Sequence, residues 1–283
     1  MTLREAFALG KDLLYKAEIE EYETDAWLLL EGAAKCTRND LFLRGSEPLK
    51  EDQELLYKEY LEKRSSRIPV QHILGVQCFC GLDFIVTPDV LCPRLDTEVL
   101  IEEALKRIKP GSSILDMCTG SGCIILTLMH FIRDCKGTAA DLSEKALAVA
   151  KRNAAKHKAE CTFVHSDLFE NIQGKFDVIV SNPPYIATKE IEALSPEVRI
   201  HEPRMALDGM EDGLFFYRKI VSASVEYLNS EGWLIFEIGH DQGEALSEMM
   251  KTAGFSQVKV IKDLAGLDRV VVGKLLQEES GNV

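Results

Sequence analysis

Apolar positions in the first 65 residues recur three or four apart. Leu3, Phe7, Leu13 and Leu14 follow a Thr2/Glu5 capping-box pattern, a second apolar stretch runs around Trp27 to Ala34, and from about Glu51 to Ser65 the residues Leu55, Leu56, Tyr60 and Leu61 share one stripe. This spacing predicts three helices, because a 3.6-residue period gathers such positions on one face. Between Pro69 and Pro93 the pattern changes to β. Cys78-Phe79-Cys80 and Phe84-Ile85-Val86 flank Gly81-Leu82-Asp83, and Pro88 follows, which predicts two short strands around a turn.

From about Thr97 onward, apolar runs of strand length alternate with helical stretches. The predicted strands are Ser113–Met117, Thr138–Asp141, Thr162–His165, Phe176–Ser181, Trp233–Ile238, Val258–Lys262 and Val270–Lys274. Such alternation predicts a mostly parallel α/β sheet covered on both faces. Only Asp263 to Arg269 separate the last two strands, too few residues for a crossover helix, so an antiparallel hairpin is expected at one edge. The chain thus divides into a helical module over 1–68, a hairpin linker over 69–96 and an α/β domain over 97–283. Nothing in the helical module looks chemical, which suits docking or recognition.

Composition narrows the partners. The chain has 283 residues, 46 % hydrophobic and 28 % charged, which excludes a fibrous, collagen-like or wholly disordered protein. Its 33 Lys+Arg against 46 Asp+Glu give a net charge of −13, with −6 over residues 1–90 and −7 over 91–283 and no acidic tail or basic arm. Long-range attraction to nucleic acid or to an anionic membrane is therefore not favoured. The start, Met1-Thr2-Leu3-Arg4-Glu5, meets charges before any signal-peptide core forms, and the longest nearly apolar run, Cys123 to Ile132, contains Thr127 and His130. A cytoplasmic protein is expected. Eight cysteines occur without CxxC pairs, so reduced thiols are expected and no metal site.

Three motifs at strand ends carry the chemistry. Asp116-Met117-Cys118-Thr119-Gly120-Ser121-Gly122 follows the first strand of the α/β region and opens a helix. Its glycines allow a sharp turn and close approach of a ligand to amide groups at a helix N-terminus. It lacks the third glycine of the dinucleotide fingerprint, which argues against a nicotinamide enzyme. Asp141 ends the second strand, 19 residues beyond Gly122, where an acid can accept ribose hydroxyls; a helix N-cap is the plainer use, although Ser143 is also available. The fourth strand ends Ser181-Asn182-Pro183-Pro184-Tyr185. Prolines lack an N–H and offer carbonyl acceptors only, Asn182 adds a side-chain oxygen, and Tyr185 adds a flat wall. This set suits a planar NH₂ group.

At these residues the chain resembles the Class I S-adenosylmethionine-dependent methyltransferases, and within them the PrmC/HemK group, N5-glutamine methyltransferases of peptide chain release factors. The resemblance extends over nearly the whole chain, through Pro69–Gly75, Pro93–Glu98, Ser166–Phe169, Glu197-Val198, Glu202-Pro203, Asp212–Leu214, Glu237–Gly243, Lys262–Leu264 and Asp268–Val271. Two departures from the family pattern are Leu95 in place of proline and Cys118 in place of glycine. The resemblance implies a Rossmann-like seven-stranded domain with a small N-terminal helical domain joined by a β-hairpin. It implies that Cys118, Thr119, Gly120, Ser121 and Gly122 wrap the methionine part of the cofactor. Asp141 would hold its ribose, Phe169 would lie against its adenine, and Asn182 would reach both cofactor and substrate. Asn182, Pro183, Pro184 and Tyr185 would hold the substrate glutamine of a class 1 release factor, with Phe79 either helping to wall the pocket or belonging to the hairpin core. S-Adenosylhomocysteine would be the product.

The rival reading is an adenine-N6 type nucleic-acid methyltransferase, since the same segment fits an exocyclic base amine. The net charge of −13 speaks against it, as does the lack of a basic, aromatic-interleaved segment. The one basic cluster, Lys151, Arg152, Lys156 and Lys158, is expected on the solvated face of a helix.

Overall fold

Thr2 Oγ1 accepts the Glu5 N–H at 3.3 Å and the Glu5 carboxylate accepts the Thr2 N–H at 2.8 Å, so the first helix starts where its capping pattern predicts. In the computed structural model, which describes residues 1–276, that helix is α1 (Leu3–Lys16). It is followed by α2 (Tyr22–Ala34), α3 (Arg38–Leu43), α4 (Glu51–Ser65), α5 (Val70–Leu74), β1 (Val76–Phe79), β2 (Leu82–Ile85) and α6 (Glu98–Leu105). Next come β3 (Ser113–Met117), α7 (Cys123–Phe131), β4 (Lys136–Asp141), α8 (Glu144–His157), β5 (Cys161–His165), β6 (Phe176–Ser181) and α9 (Pro196–His201). The order ends with α10 (Phe215–Tyr227), β7 (Leu228–Glu237), α11 (Gly243–Thr252), β8 (Phe255–Lys262) and β9 (Asp268–Leu275). Residues 277–283, the end of the stretch expected as the α/β domain, lie outside the described residues.

Contacts divide the chain into two units: Met1–Val76 with Ser195–His201, and Gln77–Leu194 with the chain from Glu202 onward. In the helical unit Leu14, Leu29, Leu30, Tyr57 and Leu61 are buried together. The Tyr57 hydroxyl donates to the Ala26 carbonyl at 3.1 Å and passes so close to Gly10 that a Cβ there would collide with it. Two helices go beyond the three that the periodicity predicts. α3 opens on a Thr37/Asp40 capping box and is too short to display a period. α5 falls in the stretch expected to be β. Pro69 stands at its N-cap and Gly75, at φ +70, ends it, and these backbone preferences decide a five-residue segment.

A buried ion cluster ties Ser195–His201 into the helical unit. Arg64 Nε donates to Asp25 Oδ2 at 2.7 Å and Arg64 Nη1 to Glu197 Oε1 at 3.0 Å, with Arg67 adding a 3.3 Å contact to the same oxygen. Sequence patterning cannot show a pairing between residues so far apart in the chain.

In the other unit the hairpin turns at Cys80-Gly81, with φ +49 and +77, one residue earlier than the centre expected at Gly81-Leu82-Asp83. A two-residue turn with both φ positive matches the twist of paired strands, and glycine supports it. The hairpin packs on α8: Asn153 Oδ1 accepts the Ile85 N–H at 2.7 Å and its Nδ2 donates to the Ile85 carbonyl at 3.0 Å. All seven predicted strands form one sheet in the order β5-β4-β3-β6-β7-β9-β8. β3 to β7 are mutually parallel, and β9 runs antiparallel to both β7 and the edge strand β8. Strand side chains alternate between two buried faces. Ile114, Val178, Val180, Ile235, Val270 and Val272 pack towards α6, α7 and α8, while Leu115, Ile179, Leu234, Phe236 and Val271 pack towards α10 and α11. Burial on both faces is why these strands read as continuous apolar runs. The basic cluster of α8 is exposed, as expected.

Arg64→Met leaves Asp25 buried without its partner and is expected to cost about 3–5 kcal/mol. Lys16→Met, in the exposed pair with Asp12 at 2.7 Å, is expected to cost less than about 1 kcal/mol. Urea unfolding followed by circular dichroism measures both.

Candidate active site

Parallel pairing places the carboxyl ends of four strands side by side. Met117 of β3 stands opposite Ala140 of β4 and Ser181 of β6, and Ser181 stands opposite Phe236 of β7. The chain runs outward through β3, β4 and β5 and then crosses back to place β6 on the other side of β3. The β3/β6 junction is thus the topological switch point, the place where open α/β sheets bind ligands. A cavity of about 450 Å³ lies there, within the roughly 300–1,000 Å³ of small-molecule sites.

Of the residues expected at the site, Cys118, Thr119, Gly120, Ser121, Asp141, Asn182 and Pro184 line this cavity. Both oxygens of Asp141 meet backbone donors, Oδ2 from the Gly120 N–H at 2.9 Å and Oδ1 from the Ser143 N–H at 2.8 Å. Burial raises its pKa, and these N–H groups pull it back. Ser143, not Asp141, caps α8, with its Oγ accepting the Ala146 N–H at 3.1 Å. The Asp141 carboxylate is thereby aimed across the turn after β3. Cys118 holds φ +63, the left-handed region that glycine enters without strain, which accounts for the family's glycine at this place.

The remaining expected residues stand back from the cavity. Gly122, at φ +79, leads into α7, and a Cβ on it would lie 3.2 Å from that of Ala150, so its use is close helix packing. Phe169 does not wall the cavity: it is buried and stacks on Tyr227 at 4.6 Å between ring centroids. Leu168, with φ +49, Leu142 and Phe216 are among the apolar residues that wall the cavity. Phe79 likewise is not a pocket residue. It is fully buried and packs edge-on to Phe84 at 6.2 Å, because the inward face of a hairpin docked on a helix is core.

Pro183 is buried and Tyr185 half-buried, both just behind Asn182 and Pro184. Their backbone is strapped from outside. Gln242 Nε2 donates to the Tyr185 carbonyl at 3.0 Å, and Ile186 N–H donates to the Leu207 carbonyl at 3.0 Å. Gly209 passes so close that a Cβ on it would stand 2.8 Å from the Tyr185 backbone.

Two further acids lie beneath the site. Asp116 is fully buried; Thr119 Oγ1 donates to its Oδ2 at 2.6 Å, and its Oδ1 has no hydrogen-bond partner. Burial pushes its carboxyl up to about 7, against the pull of that hydrogen bond. Glu237, at the end of β7, is also pushed up to about 7 by burial, opposed by the Thr97 side chain, the Arg269 charge and the Asn182 side chain. Thr97, Leu168 and Glu237 fall in segments that resemble the family, but the sequence alone assigns no site role to them or to Leu142. A single acid closing the apolar run Trp233–Phe236 was the available sign for Glu237.

Residues 5–75 match the family described as PrmC N-terminal domain, and residues 88–208 match the methyltransferase small domain. The release factor glutamine methyltransferase of Geobacter sulfurreducens is 42 % identical, over 97 % of this chain and 97 % of that protein. That of Caulobacter vibrioides is 40 % identical over 96 % of each. Among solved structures, a methyltransferase from Pyrococcus furiosus aligns with a TM-score of 0.56 at 19 % identity, over 76 % of this chain and 100 % of that one, and shares the fold. Identity of this order over nearly the full length of both proteins goes beyond a shared fold, and the chain belongs to the release factor glutamine methyltransferase family.

Proposed function

We propose that this protein transfers a methyl group from S-adenosylmethionine to the side-chain amide nitrogen, N5, of the glutamine in the Gly-Gly-Gln motif of class 1 peptide chain release factors. The observation that carries this reading is the Asn182–Tyr185 segment at the carboxyl end of β6, beside the switch-point cavity. The residues present fit the cofactor. Ser121 Oγ is buried on the cavity wall without a hydrogen-bond partner, and Gly120, at φ +55, has nothing within 4 Å of where a Cβ would stand. A polar ligand can therefore approach the backbone at the start of α7. Cys118 to Ser121 would hold its methionine part, Asp141 its ribose, and Leu142 with Leu168 its adenine. When bound, the cofactor supplies a methyl group already activated on a sulfonium.

An amide nitrogen is a poor nucleophile, so the protein's task is chiefly orientation, which can contribute about 7–11 kcal/mol in favourable cases. Asn182 Oδ1 and the Pro183 carbonyl accept the two amide hydrogens and aim the nitrogen. The same oxygens stabilise positive charge that develops on nitrogen in the transition state, and the extra proton then leaves nitrogen for water. Tyr185 closes the flat side. The helical unit over residues 1–76, which carries no comparable chemistry, would read the folded partner. A release factor substrate implies the cytoplasm, and no helix among the described residues is long and apolar enough to cross a membrane. A protein amide is preferred to a nucleic-acid base because the net charge is −13 and phosphate backbones are bound through basic surfaces.

Mass spectrometry of intact release factor after incubation with enzyme and S-adenosylmethionine should show one added methylene on the Gly-Gly-Gln glutamine, and none on DNA or RNA. Asn182→Ala should lower turnover about 10²–10³-fold, as loss of an oriented transition-state partner does, while S-adenosylhomocysteine binding by calorimetry changes little. Near-normal turnover would remove Asn182 from the mechanism. Asp141→Ala should weaken S-adenosylhomocysteine binding by about 1.5–3 kcal/mol, the worth of hydrogen bonds to a charged group.

A further inference from the structure

An asparagine side chain can present either its oxygen or its NH₂ group, and the two ends are nearly the same shape. Methylation of an amide NH₂ needs the oxygen end towards the substrate. With the ends exchanged, two donors would meet and the substrate nitrogen would not be held. Whatever stands behind Asn182 decides between them. Glu237 stands there: it ends β7, one residue beyond Phe236, which pairs with Ser181 just before Asn182, and it is 1 % exposed. The neighbouring Asn182 and Thr97 side chains counter the burial that raises its carboxyl, and the Tyr185 hydroxyl lies 3.5 Å from its Oε1. Its Oε2 is buried without a partner at hydrogen-bonding distance, so this carboxylate keeps acceptor capacity. The Tyr217 hydroxyl donates to the Glu237 carbonyl at 2.8 Å and pins the backbone.

We propose that Glu237 is a positioning residue: its ionised carboxylate accepts from Asn182 Nδ2 and so turns Asn182 Oδ1 towards the substrate amide. The proposal rests on the function given above. A protonated Glu237 can instead donate to Asn182 Oδ1, which draws the acceptor away and presents NH₂ to the substrate. The groups facing Glu237 are Asp96 and Thr97 ahead of α6, Cys123 at the start of α7, Asn182 and Tyr185 after β6, Tyr217 of α10 and Arg269 of β9. Arg269 is the cation of this set, and it is shared with Asp263 at 3.1 Å and Asp96 at 3.3 Å. Burial outweighs it and holds the carboxyl near 7, which brings the exchange of protonation state into the neutral range.

The test is the pH dependence of kcat for methylation of intact release factor with tritiated S-adenosylmethionine, run in parallel on wild type, Glu237→Gln and Glu237→Asp. The wild type should lose turnover as pH falls through about 7, one proton being taken up. Glu237→Gln, uncharged at every pH and able to present either amide end, should show kcat about 10-fold lower, no acidic limb, and an unchanged KM for S-adenosylmethionine. Glu237→Asp should keep an acidic limb. In an Asn182→Ala background Glu237→Gln should add no further loss, because its effect passes through Asn182. A wild-type profile flat across this range overturns the proposal, as does a Glu237→Gln variant that binds S-adenosylhomocysteine normally and keeps the wild-type kcat and limb. If Glu237→Gln does not fold, the wild-type and Glu237→Asp profiles decide. A wild-type enzyme that binds S-adenosylhomocysteine yet methylates no release factor overturns the function itself.

Discussion

The site depends first on the parallel register at the centre of the sheet. β3 pairs with β4 on one side and β6 on the other, and both pairings bring strand ends level at Met117, Ala140 and Ser181. The Ser181 hydroxyl donates to the Met117 carbonyl at 2.7 Å and locks the β3/β6 end of this arrangement. A slip of one residue in a parallel strand would exchange its two buried faces. With Ile114, Val178 and Val180 committed to one core cluster and Leu115 and Ile179 to the other, such a slip is strongly disfavoured. The register that buries the sheet is therefore the register that sets the glycine turn, Asp141 and the Asn182–Tyr185 segment around one cavity.

That arrangement carries electrostatic costs. Asp116 and Glu237 are acids buried at the ends of central strands, and desolvation dominates both. A carboxylate removed from water is costly unless donors surround it. Asp141 shows the compensated case, with a backbone N–H on each oxygen. Asp116 and Glu237 each keep one oxygen without a partner, and both lie directly under the cavity wall. Cys118 adds a non-glycine residue at positive φ, a conformation that costs about 1–2 kcal/mol for a residue with a Cβ. Asp116, Glu237 and Cys118 thus each carry a local cost beside the cavity, while the helical unit pairs its buried Arg64 with Asp25 and Glu197 at 2.7 and 3.0 Å.

Features that depend on a few consecutive residues could be read without coordinates. The capping box at Thr2, the seven strands, the antiparallel pairing of the last two and the chemistry of the three strand-end motifs all follow from short patterns. Where the reading failed, local preference competed with something longer in range. The Val70–Leu74 helix is set by its end residues rather than by a period, and the hairpin turn moves to Cys80-Gly81 because both positions take positive φ. Phe79 and Phe169, assigned to pocket walls through resemblance, are taken into the core by Phe84 and Tyr227.

The sequence by itself determined which chemical groups stand at the strand ends, since proline carbonyls, a glycine turn and an acid are properties of adjacent residues. It also determined the alternation that makes a two-faced sheet. Only the tertiary structure decided which groups meet. It decided that Leu142, Leu168 and Phe216 line the cavity while Phe169 does not, that Glu197 joins Arg64 across more than a hundred residues, and that Glu237 comes to lie beside the segment that begins at Asn182. The reason is that such meetings depend on strand order, register and the exclusion of water, quantities that no single stretch of chain contains.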